Sequence, residues 1–257
     1  MSRSRPAMRS GAPGPSLREL AVQALSSVER GYDLLAPKFD HTPFRTPDRV
    51  LDATAEALRD LGPFDAGLDL CTGTGAGVEV LRRVCARRVV GVDVSAGMLA
   101  VARGALPAGP DAAPGADRAP EVRWVRADAR ALPFAAAFDL VVSFGAFGHF
   151  LPAERPALFA QAHAALRPGG RFAFPVAAPP PVGSRLYWAL WGFDAAMRVR
   201  NAVWRPPFVM YYRTFPLSGV RADLIRAGFS VRTLPLAEFG RRPDGAPRAR
   251  LVVARRD

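Results

Sequence analysis

Lysine is almost absent from this chain: Lys38 stands alone among 35 Lys and Arg residues. Arginine therefore carries the basic charge, and beside abundant Ala, Pro and Gly it reads as a coding bias rather than a surface shaped for one partner. The arginines are scattered, never more than two in a row. The net charge of +12 thus lacks the clustering or motif that nucleic-acid recognition calls for. Cysteine is scarce too. Cys71 and Cys85 form no CxxC or Cys/His spacing, and with only His41, His149 and His163 beside them no metal site is expected. Both thiols are expected reduced and buried, Cys71 at a strand end and Cys85 on a helix. No run of about twenty apolar residues exists to span a bilayer. Residues 1–15, rich in Ser, Arg, Pro and Gly, lack the apolar stretch of a signal peptide and read as a disordered tail. These absences point to a cytoplasmic protein whose 257 residues can bury one sizeable core.

What is present is an alternation. A helical cap is expected over 16–62. Ser16 and Glu19 form a capping box before Leu17, Leu20, Ala21, Ala24, Leu25 and Val28, and a second helix runs from Thr46-Pro47 to Gly62, its apolar face Val50, Leu51, Thr54, Leu58 and Leu61. Short apolar runs then recur at 66–70, 88–92, 121–126, 138–144 and 171–176. Helical patterns at 77–83, 95–103 and 152–166 separate them. Such alternation predicts a Rossmann-like, doubly wound α/β fold with a mostly parallel sheet. Residues 104–120, rich in Ala, Pro and Gly, read as a surface loop. After a helix over 217–227, the runs 229–236 and 250–254 flank Pro243-Asp244-Gly245, which predicts an antiparallel C-terminal hairpin and seven strands in all.

The segment Gly67-Leu-Asp69-Leu-Cys-Thr72-Gly73-Thr74-Gly75-Ala-Gly77 follows a strand and opens a helix. Glycines there permit a tight turn and bring free backbone N–H groups close to a ligand. Asp93 ends the second strand, placed to accept both hydroxyls of a ribose. Asp128 follows the third. A dinucleotide site wants a further glycine where Val78 stands, and the carboxylate of Asp69 would repel a pyrophosphate. The ammonium of S-adenosylmethionine, a phosphate-free ligand, would instead be attracted.

From Asp65 to Phe174 the chain closely resembles the class I S-adenosylmethionine-dependent methyltransferases, especially the small-molecule group that includes quinone-biosynthesis enzymes. The resemblance implies S-adenosyl-L-methionine as cofactor. It places Asp69, Thr72, Gly73, Thr74 and Gly75 around the methionine end, and Asp93 and Val94 at the ribose. Met98 falls against the adenine face, Asp128 and Ala129 at the adenine edge, and Ser143 at the end of the fourth strand. Phe138-Asp139 and Leu166-Arg-Pro168-Gly169-Gly170 match two further family patterns, Asp139 in a structural role. Two rivals stay open: a nucleic-acid methyltransferase, and a cofactor-binding member without catalysis. The first lacks both an Asn/Asp-Pro-Pro-aromatic motif and a Pro-Cys nucleophile.

Methyl transfer needs a general base only where the acceptor must lose a proton. His149, just beyond the fourth strand, is the candidate, against the plainer reading that it shapes the pocket wall. His41 is the runner-up, and His163 is expected at the surface. Tyr32, Phe39, Phe44 and Arg45 read as packing of the cap, or as a cover over the cofactor. Residues 177–215 form an aromatic insertion holding Trp188, Trp191 and Trp204, three of the four tryptophans. Three readings apply: added core, a lid lining the acceptor pocket through Trp191 and Tyr211, or a helix lying on a membrane surface, the last ranked lowest. The expected partner is a small, apolar methyl acceptor.

Overall fold

The computed structural model describes residues 14–42, 44–106, 119–213 and 215–257. Residues 1–13 of the expected tail and residues 107–118 of the 104–120 loop lie outside the described residues.

The apolar runs become the strands β1 (Phe64–Leu70), β2 (Cys85–Asp93), β3 (Glu121–Arg126), β4 (Phe138–Ser143) and β5 (Leu166–Ala177), followed by β6 (Phe229–Pro235) and β7 (Ala249–Arg256). They form one seven-stranded sheet in the order β3-β2-β1-β4-β5-β7-β6. Neighbours from β3 to β5 pair in parallel, and β7 is antiparallel to both β5 and β6. Strand order reverses between β1 and β4, so a crevice opens above their carboxyl ends. Asp139 fixes the opposite end: one of its carboxylate oxygens accepts the amides of Asp65 and Ala66, and Arg167 binds the other.

The sheet is apolar on both faces because helices cover both. α3 (Asp48–Arg59) and α4 (Ala76–Arg82) bury Leu51, Leu58, Val78 and Leu81 on one side. On the other, α6 (Arg155–Ala165) and α8 (Leu217–Arg226) bury Leu158, Phe159, Val220 and Leu224 against Phe172, Phe174 and Phe229. Each fully buried Phe or Leu stabilises the fold by roughly 1.5–3 kcal/mol. α5 (Ala96–Ala105) packs on β2 and β3.

The structure corrects several expectations. The first cap helix does not run through Val28. α1 (Leu17–Leu25) starts at the expected capping box, ends at Ser26, and α2 (Val28–Leu35) restarts from Ser27, whose hydroxyl accepts the Arg30 amide. A serine oxygen competing for backbone N–H groups breaks a helix that apolar spacing alone would continue. Cys85 begins β2 instead of lying on a helix, its sulfur packed so closely on Gly67 that a Cβ there would sit 2.8 Å away. β5 starts at Leu166, ahead of the Gly169-Gly170 turn, with a register shift between its pairings to Phe138 and Leu140. Within the insertion, residues 185–203 form one helix, α7 (Arg185–Val203), started by Ser184, whose hydroxyl accepts the Tyr187 amide.

Candidate functional site

The loop after β1 is held from below. Gly73 and Gly75 take left-handed φ values of +53° and +95°, a conformation glycine adopts without strain. Asp69 is 1% exposed and accepts the Thr72 hydroxyl at 2.5 Å. It lies so tightly under the start of α4 that a Cβ on Gly77 would sit 2.4 Å from either carboxylate oxygen. Burial pushes the Asp69 carboxyl up to about 7, Asp93 adding and Thr72 opposing. Its second oxygen has no hydrogen bond of good geometry among the described residues. Asp69 therefore supports the loop from inside.

Asp93 faces that space. Its Oδ2 accepts the Gly73 amide at 2.8 Å and its Oδ1 the Ser95 amide at 2.9 Å. Each oxygen keeps a further lone pair. Burial raises the carboxyl, and Asp33 adds to the shift against the pull of the backbone amides. Beside it, a Cβ built on Gly73 would meet nothing within 4 Å. Val94 is exposed, with its carbonyl taken by Arg126. Met98 is buried, its amide held by the Ser95 hydroxyl. Asp128 is gripped by the Arg130 guanidinium, which lowers its carboxyl and also pairs with Glu154. Ala129 is buried, and the buried Ser143 hydroxyl donates to the Leu70 carbonyl, tying the ends of β1 and β4. The structure thus brings Asp69, Thr72, Gly73, Thr74, Gly75 and Asp93 into one group, with Met98 in the first turn of α5, Asp128 just past β3 and Ser143 at the end of β4.

His149 has no free ring nitrogen. A backbone carbonyl can only accept, so its contact with Val209 O at 2.7 Å makes Nδ1 the donor; Nε2 then accepts the Tyr32 hydroxyl at 2.7 Å. Burial lowers the imidazole's pKa and raises the phenol's, Asp93 adding to the latter, so both are neutral. One ring joins the cap, the loop after β4 and the chain after α7. Tyr32 stacks on Phe208 at 6.4 Å and meets Phe39 at 6.0 Å. Tyr211, 7% exposed, donates its amide to Gly148 O at 2.8 Å, and its hydroxyl accepts from Asn201.

Trp191 is not brought here. It stands half exposed on α7, its ring 6.2 Å from that of Trp188. Asp194 and Met197 are the buried residues of that helix, and Trp191, three residues before Asp194, lies on the flank of that face. His41 is exposed at the end of a short helical turn. His163, expected at the surface, is half-buried against Phe229 at 5.0 Å.

Sequence reasoning read Tyr32 as cap packing or as a cover over the cofactor, and missed its bond to His149. It also missed Asp33, whose Oδ1 accepts both the Ser95 hydroxyl and the Gly97 amide at the start of α5. Asp40, accepting the Thr74 hydroxyl at 2.7 Å, was passed over as well. The local signal for these residues is the density of aromatics and acids in residues 29–40.

A family model described as a methyltransferase domain matches residues 68–170. The chain is 39% identical over 188 residues to a demethylmenaquinone methyltransferase of Thermus thermophilus, covering 67% of this chain and 77% of that relative. It is 32% identical over 154 residues to a 2-phytyl-1,4-naphtoquinone methyltransferase of Thermosynechococcus vestitus, covering 58% of this chain and 64% of that one. Among solved structures, magnesium protoporphyrin IX methyltransferase from Synechocystis PCC 6803 with bound SAH superposes with a TM-score of 0.55. That match covers 93% of this chain and 99% of the other at 16% identity, a likeness of fold.

Proposed function

Because the chain belongs to the S-adenosylmethionine-dependent methyltransferases, with S-adenosylmethionine as cofactor, we propose that it methylates a small, apolar, quinol-like ring held between the cap and a lid formed by residues 177–215. The donor site fits its cofactor on two observations. Open space lies beside Gly73, and Asp93 keeps free lone pairs where two ribose hydroxyls could donate. Thr72, Thr74 and Gly75 would shape the methionine end, with Asp69 attracting its ammonium through charge. Val94 and Met98 would border the ribose and adenine, Asp128 and Ala129 the adenine edge, and Ser143 the floor between β1 and β4. When bound, the cofactor supplies an electrophilic methyl group, and the protein's task is to hold the acceptor in line and dry.

The observation that carries the acceptor reading is the Tyr32–His149–Val209 chain inside an apolar wall of Phe39, Phe208 and Tyr211. An aromatic ring fits such a wall. A hydroxylated ring also has a proton to lose: Tyr32 Oη takes it while passing its own to His149 Nε2, and the Val209 carbonyl steadies the resulting imidazolium at Nδ1. The names of both curated relatives point to quinones, and nothing in the site favours a nucleic-acid acceptor.

The test is methylation of a reduced short-chain naphthoquinone, read by mass spectrometry. Tyr32→Phe keeps the ring contacts and removes the relay, so kcat should fall about a hundredfold with S-adenosylhomocysteine affinity within about threefold. No product from the wild type would overturn the acceptor class. A raised KM with unchanged kcat would reduce the Tyr32–His149 pair to a pocket wall.

A further inference from the structure

We propose that the outer face of α7, together with the α1–α2 junction beside it, docks on the surface of an anionic lipid bilayer. This rests on the apolar-acceptor reading, since a ring dissolved in lipid has to be collected there.

The face is apolar and uncovered. Trp188 is 57% exposed, Val199 64% and Val203 77%, and Leu186, Trp191 and Trp204 are also open. Residues 188, 199 and 203 recur at helical spacing, so they share one stripe along a helix about 28 Å long. Asp194 and Met197 turn inward instead. The stripe continues onto the cap: Trp204 Nε1 donates to the Leu25 carbonyl, and a hollow of about 410 Å³ beside it is lined by Val22, Leu25, Arg30, Leu34 and Pro206. An uncovered apolar surface of this kind marks an interaction site.

Charge selects the occupant. Residues 177–215 hold five arginines and one acid, Asp194. That acid is buried, accepting the amides of Tyr212 and Arg213. Arg185, Arg198, Arg205 and Arg213 are exposed, and none has a carboxylate partner among the described residues. Elsewhere arginines such as Arg83, Arg126 and Arg167 do meet acids, so coding bias alone does not produce this imbalance. Tryptophan and arginine on one helix suit the headgroup layer, where rings sit at the acyl boundary and guanidinium groups reach phosphates. No helix among the described residues is long and apolar enough to cross a membrane, so the contact is peripheral.

The full chain should co-sediment with phosphatidylglycerol vesicles at least tenfold more strongly than with phosphatidylcholine vesicles at low salt. The combined Trp188→Ser, Val199→Ser and Val203→Ser variant should lose at least tenfold of that binding. Arg185→Glu with Arg205→Glu should erase the preference for anionic lipid. Calorimetry with S-adenosylhomocysteine checks that each variant is folded. Absent wild-type binding would overturn the proposal, as would binding that both variants retain. So would a dimer in sedimentation velocity that the serine variant dissolves without any vesicle binding. Methylation of a water-soluble hydroquinone separates the two readings. Loss of that activity in the wild type strikes the acceptor assignment alone, and loss of vesicle binding strikes the docking face alone.

Discussion

The proposed donor side and the proposed acceptor side of the crevice are built by different means. On the donor side, carboxylates are fixed by backbone amides within a few residues of a strand end: Asp93 by Gly73 and Ser95, Asp128 by its neighbour Arg130. On the acceptor side almost every contact joins distant segments. Tyr32 meets His149, His149 meets Val209, and Tyr211 meets Gly148. Polar groups at strand ends and in the turns just beyond them give a frame. Rings gathered from the cap and from residues 177–215 give a wall that can change without disturbing that frame.

If the two sides are independent in this way, damage to one should leave the other's readout intact. The largest effect belongs to Asp93→Ala, which removes a charged acceptor and should weaken S-adenosylhomocysteine binding by roughly 1.5–3 kcal/mol. Calorimetry checks this, and an unchanged affinity in a folded variant would place the ribose elsewhere. A smaller effect follows from Asp69, whose carboxyl is raised to about 7. The free protein holds this proton well above the pH at which the unfolded chain loses it. Stability from this group is therefore greatest at low pH and declines as pH rises toward 7, by on the order of 1 kcal/mol per unit. A ligand ammonium favours the ionised form, so donor affinity should rise through pH 7 and level off above it. From pH 6 to pH 8 a gain of roughly tenfold is expected, and Asp69→Asn should flatten the curve. A steep curve in that variant would assign the titration to another group. The smallest and sharpest contrast lies within the insertion. Tyr211→Ala should cut acceptor turnover at least tenfold, whereas Trp191→Ala should leave turnover of a soluble acceptor within about threefold; both should keep donor affinity, because neither provides uniform binding contacts. Equal losses from the two would return Trp191 to the pocket.

The same contrast decides what was legible in the sequence. Asp69, Gly73, Asp93 and Asp128 stand out because strand, turn and helix follow one another at short fixed intervals, and the parallel sheet with its final hairpin follows from the same alternation. Cys85 was misplaced because Arg87-Arg88 interrupts the apolar run of β2, leaving its first residues to look like the end of α4. The start of β5 at Leu166 was hidden behind Pro168 and two glycines. Tyr32 and His149 are 117 residues apart, and no periodicity connects them. Gly77 was read with the glycines that permit a tight turn and close approach to a ligand, whereas the structure gives it a steric task against Asp69.

Asp33 has a consequence for motion. It belongs to the cap, yet its carboxylate oxygen holds both the Ser95 hydroxyl and the Gly97 amide, the entry to α5. Lifting α2 therefore releases the Gly97 amide and the Ser95 hydroxyl at the entry to α5, while Ser95 still caps Met98. The cap and that entry form one cooperative opening unit of the kind that amide hydrogen exchange resolves. Protection at Gly97 should rise and fall with protection in residues 29–35, and a Gly97 amide that exchanges independently of α2 would separate the two.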